Sequence, residues 1–163
     1  MLFEIDVSGE DIFSSDYTIV VADKNNLIKG FKFDRDLIRK LRFKHANKEY
    51  RYADSQQGKA LLRVRVYCII IYYLFKSIDF RHSNREAGIE ICKDFQGHEK
   101  DITSNLKYFL GDLLKLKPIF RYTKLPKESN ADKYAYLMRK DTKNQMKGYV
   151  KISLEEVEKF LKK

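Results

Sequence analysis

The sequence predicts an α/β fold, in which a mixed five-stranded sheet starts with a three-stranded antiparallel meander and is flanked by helices. The first 33 residues contain three short apolar segments separated by turn-forming residues, which is typical of consecutive antiparallel strands. Helical and strand-like segments then alternate, which gives the order β-β-β-α-α-β-α-β-α-α and implies a sheet covered by helices. With 163 residues, 44% of them hydrophobic, and only 7 Gly and 2 Pro, the chain suits one domain over residues 1–163.

Three strands are predicted at the start of the chain. Residues 2–7, LFEIDV, and residues 17–22, YTIVVA, are rich in apolar and β-branched residues, which favour strands. A polar stretch that contains Gly9 separates them and predicts a loop. An Asn-Asn pair after residue 24 favours a tight turn, and residues 27–33 predict the third, antiparallel strand.

Two helices are predicted next. Asp34 can cap a helix that runs to about residue 45, and either Asp54 or Ser55 can cap a second helix that runs to about residue 76. The centre of the second segment, VRVYCIIIYYLF, has many β-branched and aromatic residues, so its periodicity also allows a strand. The apolar run and its flanks are too long for an ordinary strand, which favours the helix.

Strands and helices alternate in the second half of the chain. Pro118 is expected to stop the helix before it, and the last helix opens with Ser-Leu-Glu-Glu, a capping box. The predicted elements are a strand over 87–95, a helix over 101–116, a strand over 119–125, a helix from about 131 and a helix over 153–162.

The charge of the chain is strongly positive and unevenly distributed. The whole chain carries +10, whereas residues 1–23 contain six acidic residues and no Lys or Arg, which leaves +16 for residues 24–163. A basic body attracts polyanions through counterion release and long-range steering. An acidic pocket in such a body repels phosphate unless a cation lies between them. These features indicate a nucleic-acid partner.

Several classes of protein are excluded by missing signals. The longest apolar stretch, residues 66–75, is far shorter than the ~20 residues of a membrane helix, so no membrane partner is expected. Cys68 and Cys92 lie in apolar segments without metal-ligand spacing and no signal peptide is recognisable, which favours a reducing, cytoplasmic location. The sequence has no GxxxxGK, GxGxxG or HExxH motif, which argues against nucleotide hydrolysis, dinucleotide binding and zinc proteolysis.

Acidic residues occur where they can meet at a metal ion. Asp6 lies on the first predicted strand, Glu90 and Asp94 lie on one face of the fourth strand, and Asp132 lies at the start of a late helix. Carboxylates are the ligands that Mg²⁺ prefers, and two such ions can activate water for phosphodiester cleavage. Alternatively, Asp132 is a helix N-terminal acid that interacts with the helix dipole.

The opening IDVSG, the meander after it, the acidic fourth strand and the late segment SNADKYAYLMRKD resemble the ribonuclease H-like superfamily, which includes ribonucleases H, Holliday-junction resolvases and transposases. The resemblance covers nearly the whole chain in the order of its elements. It implies an RNase H-like fold and a nuclease that depends on Mg²⁺ or Mn²⁺. The implied catalytic and metal-binding acids are Asp6, either Asp94 or Glu90, and Asp132.

One departure narrows this resemblance. Ribonucleases H proper use a glutamate on the first long helix, and residues 55–78 contain no Glu. The chain is therefore more similar to resolvase-like and uncharacterised archaeal members of the superfamily. A fourth acid is either Asp141 or Glu128, and the sequence leaves this choice open.

Basic and aromatic residues interleave in two segments, FKFDRDLIRKLRFKHANKEYRY and FRYTKLPK. Lys and Arg can hold phosphates while Tyr and Phe stack on unpaired bases. The nucleic-acid-binding residues that this pattern predicts are Arg39, Lys40, Arg42, Lys44 and Arg51.

Three functions are consistent with the sequence. The first is a divalent-metal-dependent nuclease, for which the choice between DNA and RNA stays open. The second is a non-catalytic RNase H-like protein that binds nucleic acid or acts as a scaffold. The third is a protein-interaction module whose charge is incidental. Magnesium dependence separates the first from the second, and salt-sensitive nucleic-acid binding separates both from the third.

Overall fold

The computed structural model describes residues 1–80, 85–93, 95, 97–126 and 129–162. Five strands form one sheet in the order β3-β2-β1-β4-β5. β1 pairs antiparallel with β2 and β2 with β3, whereas β1 and β5 both pair in parallel with β4. The predicted mixed sheet that opens with an antiparallel meander is confirmed. The strands are β1 (Leu2–Ser8), β2 (Thr18–Ala22), β3 (Ile28–Lys32), β4 (Glu86–Cys92) and β5 (Lys117–Thr123).

Five α-helices connect and flank the strands, in the predicted order. Their starts follow from side-chain caps: Asp34, Ser55 and Ser153 each accept a hydrogen bond from a backbone N–H in the first turn, and Ser153 forms the predicted capping box with Glu156. The helices are α1 (Arg35–Ala46), α2 (Gln56–Lys76), α3 (Glu99–Leu106), α4 (Asn130–Lys140) and α5 (Leu154–Glu158).

The apolar segment that sequence periodicity left open is helical. In α2, every residue from Val66 to Phe75 is buried, so the helix contacts protein on all sides along this stretch. Burial on all sides explains why α2 lacks the one-sided apolar pattern of a surface helix. None of the helices in the described residues is long and apolar enough to cross a membrane.

The two faces of the sheet bury different residues. One face packs against α1, α2 and α3 and holds most of the core, including Ile5, Ile19 and Ile91. The other face packs against α4 and holds a smaller cluster that includes Val20 and Met138. Because side chains alternate along a strand, even-numbered residues of β1 lie on the α4 face.

Several element boundaries differ from the prediction. β4 ends at Cys92, three residues before its predicted end at residue 95. α3 starts at Glu99 and continues over Lys107–Leu113 as a π-helix, in which the N–H of Leu114 bonds the carbonyl of Phe109, five residues earlier. β5 begins before Pro118, which a strand at the edge of the sheet tolerates. α5 ends at Glu158 because the chain then turns and residue 162 bridges to Tyr50.

The two edges of the sheet are unequal. On β3, the N–H of Gly30 donates to the carbonyl of Gly148 and the carbonyl of Gly30 accepts from the N–H of Val150, both at 2.9 Å. This short pairing covers the outer side of β3. In the described part of the chain, no strand pairs with the outer side of β5.

Candidate functional site

The α4 face of the sheet carries two buried acidic residues of β1. Glu4 lies opposite Ala22 and Asp6 lies opposite Val20, so both side chains share the face on which α4 packs. They are nearly inaccessible, with 8% and 5% of their surface exposed. Buried carboxylates are uncommon because burial disfavours their charged form, so these two residues are the candidates for a functional site on this face.

A third acid belongs to the same face. Glu90 of β4 lies beside Glu4 in the parallel register, which places the two side chains on one face of adjacent strands. On its other side, Glu90 lies beside Arg121 of β5. Asp6 and Glu90 therefore share one face of adjacent strands, and their joint binding of a metal ion stays a prediction.

These neighbours perturb the ionisation of Glu4. Burial raises the pKa of Glu4 above its ordinary value, the like charge of Glu90 raises it further, and the positive charge of Lys24 lowers it. Two carboxylates that resist ionising together are an arrangement that a cation relieves.

Asp6 has a local hydrogen bond. Its Oδ1 accepts from the N–H of Val7 at 2.8 Å. This bond orients the carboxylate from its own backbone, at the centre of the sheet.

Asp132 lies in the first turn of α4, where the N–H of Asp132 donates to the capping Ser129 hydroxyl at 3.1 Å. The Asn130 amide donates to the carbonyls of Asp23 and Asn25, at 2.8 and 3.2 Å. The start of α4 is thereby attached to the β2–β3 turn. That turn follows Ala22, the β2 partner of Glu4.

The other predicted acids contribute differently. Asp94 and Glu128 lie outside the described residues. Asp141 caps the end of α4, accepting from the Tyr149 hydroxyl and the Met146 N–H, both at 2.8 Å. These hydrogen bonds lower the pKa of Asp141, the Met146 bond most strongly. Asp141 is therefore engaged in holding the segment after α4.

The fit of the site to Mg²⁺ or Mn²⁺ is incomplete within the described residues. Over these ranges, no group of three or more His, Cys, Asp and Glu side chains is placed to hold a metal ion. Glu4, Asp6 and Glu90 supply suitable oxygen atoms on one face but not a converged ligand set.

Some residues of the predicted basic cluster form ion pairs with acidic residues, and others do not. Arg39 and Lys40 both contact Asp36, each at 2.9 Å. Lys44 Nζ lies 2.9 Å from Oε1 of the buried Glu158, so this lysine attaches α1 to α5.

Two members of the cluster have no acidic partner among the described residues. Arg42 is exposed and its guanidinium lies over the Phe13 ring, 5.9 Å from the centroid. Arg51 is also exposed; it lies over the Tyr52 ring at 5.4 Å and donates to the carbonyl of Phe160 at 3.4 Å.

Glu4 was not among the predicted site residues. The signal was present in LFEIDV, because two-residue alternation places Glu4 and Asp6 on the same face of one strand. Its proximity to Glu90 depends on the pairing of β1 with β4, which are more than 80 residues apart in the chain.

Comparison with known proteins adds no relative to this description. Neither a protein-family model, nor a curated protein, nor a solved structure matches the chain.

Proposed function

We propose that this chain is an RNase H-like domain that acts on nucleic acid, and that the α4 face of its sheet is the centre of a phosphodiester cleavage that depends on Mg²⁺ or Mn²⁺. The observation that carries the proposal is the shared face of Glu4, Asp6 and Glu90 on the adjacent strands β1 and β4. The order of the elements and the mixed sheet support the same family resemblance.

The electrostatics of this face support a cation. Glu4 and Asp6 are buried, Glu4 is next to Glu90, and the chain as a whole is basic. Bare carboxylates repel the phosphates that the rest of the chain attracts, whereas a divalent ion reverses the local charge and accepts phosphate oxygens. A bound metal supplies the activation of water; the residues of this chain supply the oxygen atoms and a face shielded from solvent.

One observation favours a non-catalytic member of the same family. The described residues contain no set of three ligands placed for a metal ion. In that case the fold binds nucleic acid through its basic surface, and the buried acids are a remnant of the site.

The deciding experiment combines thermal denaturation with a nuclease assay. Single- and double-stranded DNA and RNA are incubated with the wild type and with Asp6→Asn and Glu90→Gln, with Mg²⁺, Mn²⁺ or EDTA. The matched control is Glu10→Gln, which removes an exposed acid. We expect metal-dependent cleavage that both site variants lose and the control keeps.

The other outcomes separate the alternatives. Nucleic-acid binding without cleavage, and without stabilisation by either metal, supports the non-catalytic protein. The absence of both binding and cleavage at low salt contradicts a nucleic-acid function and favours the interaction module.

A further inference from the structure

A cleft opens on the side of the molecule away from Glu4 and Asp6. It lies between α1 and the first turns of α2, which pack on the opposite face of the sheet from α4. Its volume is about 480 Å³. This size falls within the range of about 300–1,000 Å³ that is typical of small-molecule pockets. Its walls include Phe13, Arg42, His45, Lys59, Leu62 and Arg63.

Positive charge exceeds negative charge in this cleft. Arg42, Lys59 and Arg63 line it, and the one acid in its wall is Asp54, 3.5 Å from Lys59 Nζ. Within the described residues, Arg42 makes no ion pair. Since Lys59 pairs with Asp54 and Arg63 pairs with Asp11, Arg42 is the one cation of the cleft that no acid of the described residues pairs.

Two of these cations contact the same aromatic ring. The guanidinium groups of Arg42 and Arg63 lie 5.9 and 5.6 Å from the centroid of Phe13, which is buried. Both arginines line the cleft, so an anion bound there is attracted by two positive charges. Planar guanidinium groups bind phosphate oxygens through paired hydrogen bonds, so the geometry favours a phosphate.

Arg63 also has an unused donor. Its Nε is shielded from solvent and makes no hydrogen bond in the described structure. Asp11 Oδ1 lies 3.2 Å away as an ion pair, but off the direction in which a hydrogen bond forms. The Arg63 side chain is one-third exposed, so it is the rest of its guanidinium group, not Nε, that is available to a ligand oxygen.

The wall beside these cations is rigid. His45 Nε2 lies 3.1 and 3.2 Å from the carbonyls of Tyr52 and Ala53, so this nitrogen carries the hydrogen and donates to them. Gly58 lets the Ala53 backbone approach the first turn of α2, because a Cβ at Gly58 would collide with the Ala53 carbonyl oxygen. The loop before α2 is thus fixed against both helices, and the cleft is formed before any ligand arrives.

We propose that this cleft is a phosphate-binding site, with Arg42 and Arg63 as its two principal contacts and Lys59 as a third. The inference goes beyond the proposed cleavage site, because the cleft and the acidic residues lie on opposite faces of the sheet. The phosphate belongs either to the end of a nucleic-acid strand or to a mononucleotide, which share this chemistry.

Binding measurements test the site with four probes at low salt: inorganic phosphate, AMP, and one oligonucleotide with a 5′-phosphate or a 5′-hydroxyl. We expect Arg42→Gln to weaken binding of the phosphorylated probes at least about tenfold, as for a lost charge-assisted hydrogen bond. The matched control is Arg35→Gln, an exposed arginine on the same helix that does not line the cleft. Lys59→Gln provides a second variant whose exposed side chain is not needed for folding.

The probes distinguish the source of the phosphate. Preference for the 5′-phosphorylated over the 5′-hydroxyl oligonucleotide identifies a strand end, and AMP binding as tight as the phosphorylated oligonucleotide identifies a mononucleotide. If no probe binds the wild type, or if Arg42→Gln and Arg35→Gln weaken binding equally, the site is refuted. Neither result depends on metal or on cleavage. A failure of the phosphate site can therefore be distinguished from a failure of the proposed nuclease function.

Discussion

Glu4 and Glu90 lie side by side on two adjacent parallel strands, with both side chains on the sheet face that α4 covers. One is almost fully buried and the other is half-buried. Burial and the like charge of Glu90 disfavour the ionised form of Glu4 and raise its pKa. We therefore expect the stability of the protein to depend on pH and on divalent metal.

The first prediction concerns pH. The pKa of Glu4 is raised in the folded state, so the folded protein holds this proton more tightly than the unfolded chain. Stability from this residue is therefore present below the unfolded pKa and is lost as pH rises through the folded pKa. We expect Glu4→Gln to stabilise the protein at pH 7, on the order of 1 kcal/mol or about 2–4 °C, and to have little effect near pH 4.

Thermal melts across this pH range provide the measurement, with Glu10→Gln as the exposed control. If the melting temperature rises equally for Glu4→Gln and Glu10→Gln, the cause is the change in net charge. A fall in melting temperature for Glu4→Gln at pH 7 shows that the Glu4 carboxylate is stabilising as an anion, contrary to this account.

The second prediction concerns metal. Asp6 belongs to the acidic face, and Asp132, in the first turn of α4, is the further metal ligand that the family resemblance implies. Removing an acid from a repulsive site leaves the apo fold intact or stabilises it. We therefore expect Asp6→Asn and Asp132→Asn to abolish Mg²⁺-dependent cleavage without lowering the melting temperature of the metal-free protein. Added Mg²⁺ or Mn²⁺ stabilises the wild type by mass action and does little for either variant.

Asp112→Asn, which removes an exposed acid after α3, is the control for this set. If Asp6→Asn and Asp132→Asn both melt markedly lower, and metal stabilises neither them nor the wild type, the two aspartates have structural roles.

The third prediction concerns salt. Nucleic-acid affinity is expected to fall with a slope of about −0.7 to −0.9 in log K against log salt for each neutralised phosphate. Changing Arg39, Lys40 and Arg42 together to Ala should flatten that slope. Arg42→Ala alone should account for most of the change, because Asp36 partly neutralises Arg39 and Lys40.

Titrations at several salt concentrations give these slopes. A matched triple variant that replaces exposed lysines elsewhere, Lys100, Lys107 and Lys117, corrects for the change in total charge. If the two triple variants have identical slopes, the nucleic-acid-binding surface does not lie on α1.

The fourth prediction concerns the attachment of α5. The Tyr50 hydroxyl donates to Oε2 of buried Glu158 at 3.0 Å, and burial together with this bond raises the pKa of Tyr50. Tyr50→Phe should destabilise the protein by about 1.5–3 kcal/mol, since it removes a hydrogen bond to a buried charge. Chemical denaturation measures this loss. Tyr136→Phe, at an exposed tyrosine, should change stability little, and an equal effect of the two variants contradicts the assignment.

The order of the elements was predictable because each has a local signal. Asp34 and Ser55 cap their helices through hydrogen bonds that depend on neighbouring residues alone. The long apolar segment was ambiguous by periodicity, and its length decided correctly for a helix. The π-helical end of α3 and the early start of β5 were missed, because both depend on packing at the sheet edge.

The site was less predictable than the fold. Asp6 stood out as an isolated acid in an apolar strand, but Glu4 gains its importance from Glu90, which the sheet brings beside it from a distant part of the chain. Lys44 looked like one of several surface cations until α5 placed Glu158 against it. The local sequence predicts the type of each residue and the face of the strand or helix on which it lies. Which charges are already paired depends on residues from distant parts of the chain.

The covered edge at Gly30 limits how this protein can associate through its sheet. Strand-mediated polymerisation requires two open edges on every molecule, one to accept a neighbour and one to present to the next. Within the described residues the backbone groups of Gly30 are already bonded to residues 148 and 150, so β3 offers a neighbouring strand fewer hydrogen bonds than β5 does, which disfavours extension into a filament. Lys117 and Arg121 also place like charges along that edge and oppose the pairing of two copies.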